Sequence, residues 1–267
     1  MLYAIHGFTE DDLVWADVLE PTHMQYRSML LPGHGHLPYK IHNLSRQQWL
    51  AEVEEGLAFL RQHCDQIFVA GHSMGAVLGA HLALQNPDIC GFIMMAPLYD
   101  LPDWRIKIVA IGRYFMKWFY PLKNKITDRD IFMGRVLDYD PTIDPDDPKL
   151  QDWLVEASRL PIDGLDEMRK MAVLGRKLWP KLHLPVIIFQ GGSDPAVNAG
   201  NTEKLFQKLG TPDKEMKFFP QVGHELMRPV EPIHRKVWQK ILEFIHDYTG
   251  TGGTGERPLL SGRSLLK

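Results

Sequence analysis

The stretch 67–85, IFVAGHSMGAVLGAHLALQ, changes its period in the middle, and that change decides how the rest of the chain is read. Ile67-Phe68-Val69-Ala70 is a short apolar run of branched and aromatic residues, the pattern of a strand buried on both faces. Met74 to Gln85 has the Ala/Leu content and spacing of a helix. Between them Gly71-His72-Ser73-Met74-Gly75 matches G-x-S-x-G, a sharp strand–turn–helix that lifts a serine hydroxyl clear of the backbone. Such a turn holds Ser73 in a strained conformation. Side chains at Gly71 and Gly75 would collide with the adjoining strand and helix.

The same alternation extends outward from this turn. Strands are expected at Leu2 to His6, Tyr26 to Leu31, Gln66 to His72, Gly91 to Ala96, Val186 to Gln190 and Glu215 to Phe219. Helices are expected at Asp11 to Leu19, Ser45 to His63, Met74 to Gln85, Asn201 to Leu209 and Val230 to Tyr248, with Ser45 and Gln48 spaced as a helix cap. The fold class is therefore α/β, a mostly parallel central sheet flanked by helices. The rhythm breaks after the fourth strand and resumes at LPVIIFQG, so residues 1–98 and 183–248 read as the core and 99–182 as an insertion. Residues 249–267, rich in Gly and without period, read as a flexible tail.

A serine hydroxyl is a weak nucleophile and needs a base, which in turn needs a group to fix its tautomer. Among twelve histidines, His224 follows a strand in FFPQVGHEL, where a loop at the carboxyl edge of the sheet can reach Ser73. His63, His81, His234 and His246 fall in helices, and His6 and His72 read as packing or hydrogen-bonding parts of their turns. Asp194, after the strand VIIFQ, is the first candidate for the acid, and Asp100, after FIMMA, is the second. The chain order is then Ser73, Asp194, His224. Donors for a developing oxyanion are expected from the backbone amides of Phe8, after the first strand, and Met74.

Composition limits the alternatives. Thirty Lys and Arg against thirty-three Asp and Glu leave a net charge of −3, which argues against a nucleic-acid partner. Two cysteines, Cys64 and Cys90, supply neither a disulfide framework nor a four-thiolate metal site and fit a reducing compartment. No basic leader or spanning segment is read in the sequence, so the expectation is a cytoplasmic protein. The acidic run Asp138, Asp140, Asp144, Asp146 and Asp147 lacks the turn Gly and terminal Glu of a calcium loop and reads as a solvated loop.

AIHGF, LLPGHG, VAGHSMGA, VIIFQGGSDPAV and FFPQVGHEL, in this order over residues 1 to 248, resemble the α/β-hydrolase superfamily, in particular its monoacylglycerol lipase, lysophospholipase and carboxylesterase branch. The resemblance implies a capped serine hydrolase with Ser73, Asp194 and His224 as the triad, no cofactor and no metal. It implies a small-molecule ester or lipid substrate with an apolar acyl chain. Two departures stand out: Met1 sits almost on the first strand, so the expectation is a shorter sheet without the first two strands of the family, and Ala76 stands where many monoacylglycerol lipases have a Gly. Aminopeptidases, thioesterases, carbon–carbon bond hydrolases and non-catalytic ligand receptors share the fold and stay open.

Within the insertion, Trp104 to Thr127 carries six basic residues, no acid and six aromatics. On a helical wheel Ile108, Ile111, Phe115, Trp118, Phe119 and Leu122 form one stripe, with Arg105, Arg113 and Lys117 opposite. Two readings fit: a lid helix packed on the core, or one whose Phe115, Trp118 and Phe119 line an acyl pocket while its other side contacts a membrane surface.

Overall fold

The computed structural model describes residues 2–5, 26–34, 38–101, 109–123, 142–144, 146–227 and 233–249. The expected helix 11–19, Phe8, Asp138, Asp140 and the tail beyond Thr249 lie outside them. Strands β1 (Leu2–Ile5), β2 (Tyr26–Met29), β3 (Ile67–His72), β4 (Ile89–Met95), β7 (Val186–Gly191) and β8 (Lys214–Phe219) form one sheet in the order β2-β1-β3-β4-β7-β8. All five pairings are parallel.

The inner strands β3, β4 and β7 read as apolar runs because both faces of the sheet are covered there. In β3, Ile67 and Val69 join one core cluster while Phe68 and Ala70 join the other, and β4 divides Phe92 and Met94 from Ile93 and Met95 in the same way. The first face takes α1 (Arg46–Leu60) through Trp49, Val53 and Leu57, and α2 (Met74–Gln85), which is buried nearly all round. Uniform apolarity is what such a position demands. Gly79 lets α2 lie close to the sheet, since a Cβ there would come within 2.5 Å of the Phe92 ring. The second face takes α7 (His234–Thr249), whose Val237, Trp238, Ile241, Phe244, Ile245 and Tyr248 make an apolar stripe at helical spacing. The Ser45 amide donates to Gln48 Oε1 at 2.9 Å, half of the cap expected for α1.

Between β4 and β7 the described elements are α3 (Val109–Gly112), a two-residue antiparallel pair of β5 (Trp118–Phe119) and β6 (Leu160–Pro161), α4 (Pro148–Ala157) and α5 (Ile162–Leu178). The continuous helix expected through Ile108 to Leu122 is corrected here. The helix closes at Gly112, where the amides of Phe115 and Met116 both turn back to the Gly112 carbonyl, and the backbone is extended at Trp118. Glycine is a poor helix former, and pairing with Leu160–Pro161 outweighs the helical spacing. The second half of α5 joins the main core through Met171 and Ala172, and α6 (Ala199–Lys208) does so through Leu205 and Phe206.

Candidate active site

The carboxyl ends of β3, β4, β7 and β8 lie in register, so the loops that follow them meet at one edge, where ligand sites of parallel sheets gather. Ser73 stands at the junction of β3 and α2 with φ 53° and ψ −114°, a conformation that a side chain rarely adopts. Three backbone bonds hold it there: its amide donates to Met95 at 2.9 Å, and its carbonyl accepts from Ala76 at 3.2 Å and Leu98 at 3.0 Å. Gly71 is required by contact, because a Cβ would lie 2.5 Å from the Gly75 carbonyl oxygen and 2.6 Å from Ala76. Met74 is the first residue of α2, so its amide has no acceptor within the helix and lies where an oxyanion donor is expected.

Two further loops carry the expected acid and base, and backbone bonds join them. Gly192 donates to Phe219 at 2.8 Å, Ser193 donates to Val222 at 3.1 Å, and the Ser193 hydroxyl reaches the Pro220 carbonyl at 3.2 Å. The approach is so close that a Cβ on Gly191 would overlap the carbonyl oxygens of Val222 and Gly223. Asp194 and His224 therefore meet: His224 Nδ1 lies 2.8 Å from Asp194 Oδ2. A carboxylate only accepts, so Nδ1 carries the proton and the Nε2 lone pair is left as the basic site. The other oxygen of Asp194 accepts from the amides of Ala196 and Val197 at 2.7 and 2.8 Å. Burial pushes the Asp194 carboxyl upward, but the His224 bond and charge and the two amides outweigh it and hold it below the usual carboxylate range.

His72 ties this pair to the serine turn. Its ring packs 4.5 Å from the His224 ring, and its Nε2 donates to the His224 carbonyl at 3.1 Å. His72, read from sequence as a hydrogen-bonding part of its turn, thus has a defined partner. Asp100 lies in a different setting, 3.4 Å from Arg176 Nη1 and accepting from the Leu101 amide. Among the described residues, His72, His224 and Glu225 bring ligand-type atoms within 4.8 Å of one another. Both rings are already engaged in the hydrogen bonds above.

Gln190 is a site residue that sequence reasoning missed. It is buried, donates to Asp194 Oδ2 at 3.2 Å, and accepts from the Thr202 hydroxyl at 2.6 Å. The available signal was a polar residue closing an otherwise apolar strand.

The aromatic run of the insertion is distributed differently from the expected stripe. Among the described residues Phe115 is 83% exposed, because the turn after Gly112 points it outward with Tyr114 and Met116. Trp118 and Phe119 are half-buried; the Trp118 ring contacts His42 at 5.0 Å and lies under the Arg159 guanidinium. Arg113 is not free on an opposite face, since its Nη1 pairs with the buried Asp166 at 2.8 Å, and Lys123 pairs with Glu156 at 3.0 Å. No described helix is long and apolar enough to cross a membrane.

Comparison with known proteins agrees with this architecture. The thermostable monoacylglycerol lipase of Bacillus sp. (strain H-257) is 26% identical over 218 residues, which cover 79% of this chain and 77% of that protein. Human monoglyceride lipase is 22% identical over 72% of this chain, and the match spans 62% of the human protein, somewhat under two thirds of its length. The crystal structure of Paleococcus ferrophilus monoacylglycerol lipase superposes with a TM-score of 0.68 at 18% identity, covering 93% of this chain and 94% of that one. The family described as serine aminopeptidase, S33 (Hydrolase_4) matches residues 4–231. With its parallel sheet, its serine turn and this match over most of its length, the chain is an α/β-hydrolase and belongs to that family.

Proposed function

We propose that this protein is a carboxylic ester hydrolase of the monoacylglycerol lipase and esterase type, acting on esters with an apolar acyl chain through an acyl-enzyme on Ser73. The observation that carries the reading is the 2.8 Å bond from His224 to Asp194, made while the His224 ring packs on His72, the immediate neighbour of Ser73. The relatives named as monoacylglycerol lipases support the ester class.

In this mechanism His224 Nε2 takes the Ser73 hydroxyl proton as Oγ attacks the ester carbonyl carbon. The carbonyl π pair moves onto oxygen, and the oxyanion is met by the Met74 amide and by Phe8, which lies outside the described residues. Collapse of the tetrahedral intermediate breaks the bond to the alcohol, which leaves with the proton held on imidazolium. Water then repeats the sequence, releasing the acid and restoring Ser73. Asp194 stays ionised throughout, and neither cofactor nor metal takes part.

Residues 99–182 are proposed as the cap over this edge, with α5 fixed to the core below it. The exposed tip Ile111, Tyr114, Phe115 and Met116, with Lys117 beside it, supports contact with a lipid surface, where apolar side chains gain by leaving water. The family description favours a second reading, hydrolysis of an aminoacyl bond.

One experiment separates the readings. Fluorophosphonate labelling of wild type and Ser73→Ala is combined with turnover of p-nitrophenyl esters of increasing length, a monoacylglycerol and an aminoacyl p-nitroanilide. Labelling that depends on Ser73, with turnover rising along the ester series, is the expected result. Turnover confined to the anilide would replace the ester reading with the peptidase one, and labelling unaffected by Ser73→Ala would overturn both.

A further inference from the structure

We infer that Gln190 and Thr202 are positioning residues that form a buried amide–hydroxyl relay setting the proton affinity of the His224 imidazole through Asp194. The inference rests on the assignment of His224 as base.

Gln190 is the penultimate residue of β7, with its side chain fully buried, where each polar atom needs a partner. Its Oε1 accepts from the Thr202 hydroxyl at 2.6 Å, and Thr202 is itself buried in the first turn of α6. On the other side Nε2 faces three acceptors: Asp194 Oδ2 at 3.2 Å and the carbonyl oxygens of Gly191 at 2.9 Å and Val197 at 3.4 Å. None of these three can donate, so a turned amide would set oxygen against oxygen. The Thr202 hydroxyl completes the selection by offering its proton to Oε1. The amide has one orientation, and it aims an N–H at Asp194.

The oxygen that Gln190 meets is the one that accepts from His224 Nδ1 at 2.8 Å. While His224 is neutral, the pair carries a net negative charge; once His224 is protonated, the pair is neutral overall. A donor fixed on Oδ2 stabilises the first state more than the second, so it lowers the affinity of His224 for a proton. The base is thereby kept neutral, and able to accept from Ser73, at lower pH. Among the described residues, the other ionisable groups facing His224 are His72, whose ring is 4.5 Å away, and Glu225 next in the chain. Both are retained in the variants below, so a difference between variant and wild type reports the relay.

The test is an NMR titration of the His224 ring, assigned by its loss in His224→Gln, in wild type, Gln190→Met and Thr202→Val. The acid limb of kcat/KM on a short p-nitrophenyl ester is followed in parallel. Gln190→Met keeps the volume and removes the donor, and should raise the His224 pKa and the acid limb together by about half a unit to one unit. Thr202→Val frees the amide to turn, and should move both in the same direction by less. An unmoved His224 pKa in Gln190→Met with native near-ultraviolet circular dichroism overturns the relay, whatever happens to kcat. Should Gln190→Met not fold, Thr202→Val decides by the same criterion. The ring titration needs no turnover, so a wild type inactive on esters would fail the proposed function while the relay is still judged.

Discussion

The His72 ring packs against the His224 ring with centroids 4.5 Å apart, and its Nε2 donates to the His224 carbonyl at 3.1 Å. The residue before the proposed nucleophile thus grips the loop that carries the proposed base. His72→Leu keeps bulk but loses the donor, and it should lower kcat by roughly ten- to a hundredfold with little change in KM, the cost of a base displaced by a fraction of an ångström. Steady-state kinetics on a soluble ester measure this. An unaltered kcat would assign the hold on the loop to Ser193 and Val222 instead.

Ser73→Ala and His224→Ala should each remove nearly all ester turnover while leaving the melting temperature close to wild type. Asp194→Asn should lose about 10⁴ in kcat, because an amide can hold the wrong imidazole tautomer. Asp100→Asn should lose little, since that carboxylate faces Arg176. Reversal of the two aspartate variants would move the acid to the end of β4.

Gly191→Ala places a methyl against the backbone oxygens of Val222 and Gly223, which cannot rotate away as a side chain could. The loop carrying His224 must shift outward. Stability should fall by about 1–3 kcal/mol, and kcat should fall more than His72→Leu makes it fall. Denaturant unfolding and turnover, measured on one preparation, check both parts.

Asp166 is buried in α5 and pairs with Arg113, Arg169 and Lys170, while neighbouring Glu167 pairs with Arg46 and Lys170. His42 and Asp163 add a further link between the segment before α1 and the start of α5. Burial pushes the Asp163, Asp166 and Glu167 carboxyls up. The bonds from His42 and Asn43, from Lys170, Arg113 and Arg169, and from Lys170 and Arg46, respectively, bring each below its usual value. Groups lowered in the folded state stabilise it fully above the ordinary carboxylate range and stop doing so as pH falls through their folded values. Asp166→Ala should cost about 2–3 kcal/mol at neutral pH, less than a wholly buried pair because its cations reach solvent. Its deficit should shrink as pH is lowered toward 3, and a deficit constant with pH would contradict the ionic account.

The lipid contact proposed for the tip at 111–116 should depend on its apolar residues. Replacing Tyr114 and Phe115 with Ser should reduce partitioning onto phosphatidylcholine vesicles at least tenfold, since each exposed ring offers roughly 1.5–3 kcal/mol on full burial. Turnover of a short soluble ester should be unchanged. Neutralising Arg113 should instead lower stability, because its partner is Asp166. Equal vesicle binding by wild type and the double Ser variant would dismiss the tip as a membrane contact.

What the sequence determined by itself is what depends on neighbours along the chain. Doubly covered strands such as Ile67–His72 and Val186–Gly191 announce themselves as apolar runs, and α2 begins at Met74 as its spacing requires. The serine turn was legible because G-x-S-x-G falls within five residues, and the structure shows why Gly71 is required there. Sequence ranked Asp194 ahead of Asp100, but the contact with His224 is decided by the tertiary structure, because β7 and β8 lie side by side with their loops bonded together. The same holds for Gln190 with Thr202, and for His42 with Asp163 across 121 positions. It holds too for the break at Gly112, where helical spacing persists in the letters but pairing with Leu160–Pro161 prevails. Periodicity records which face of an element is covered; which polar side chain meets which is set by the packing of elements far apart in the chain, where burial makes an unmatched partner costly.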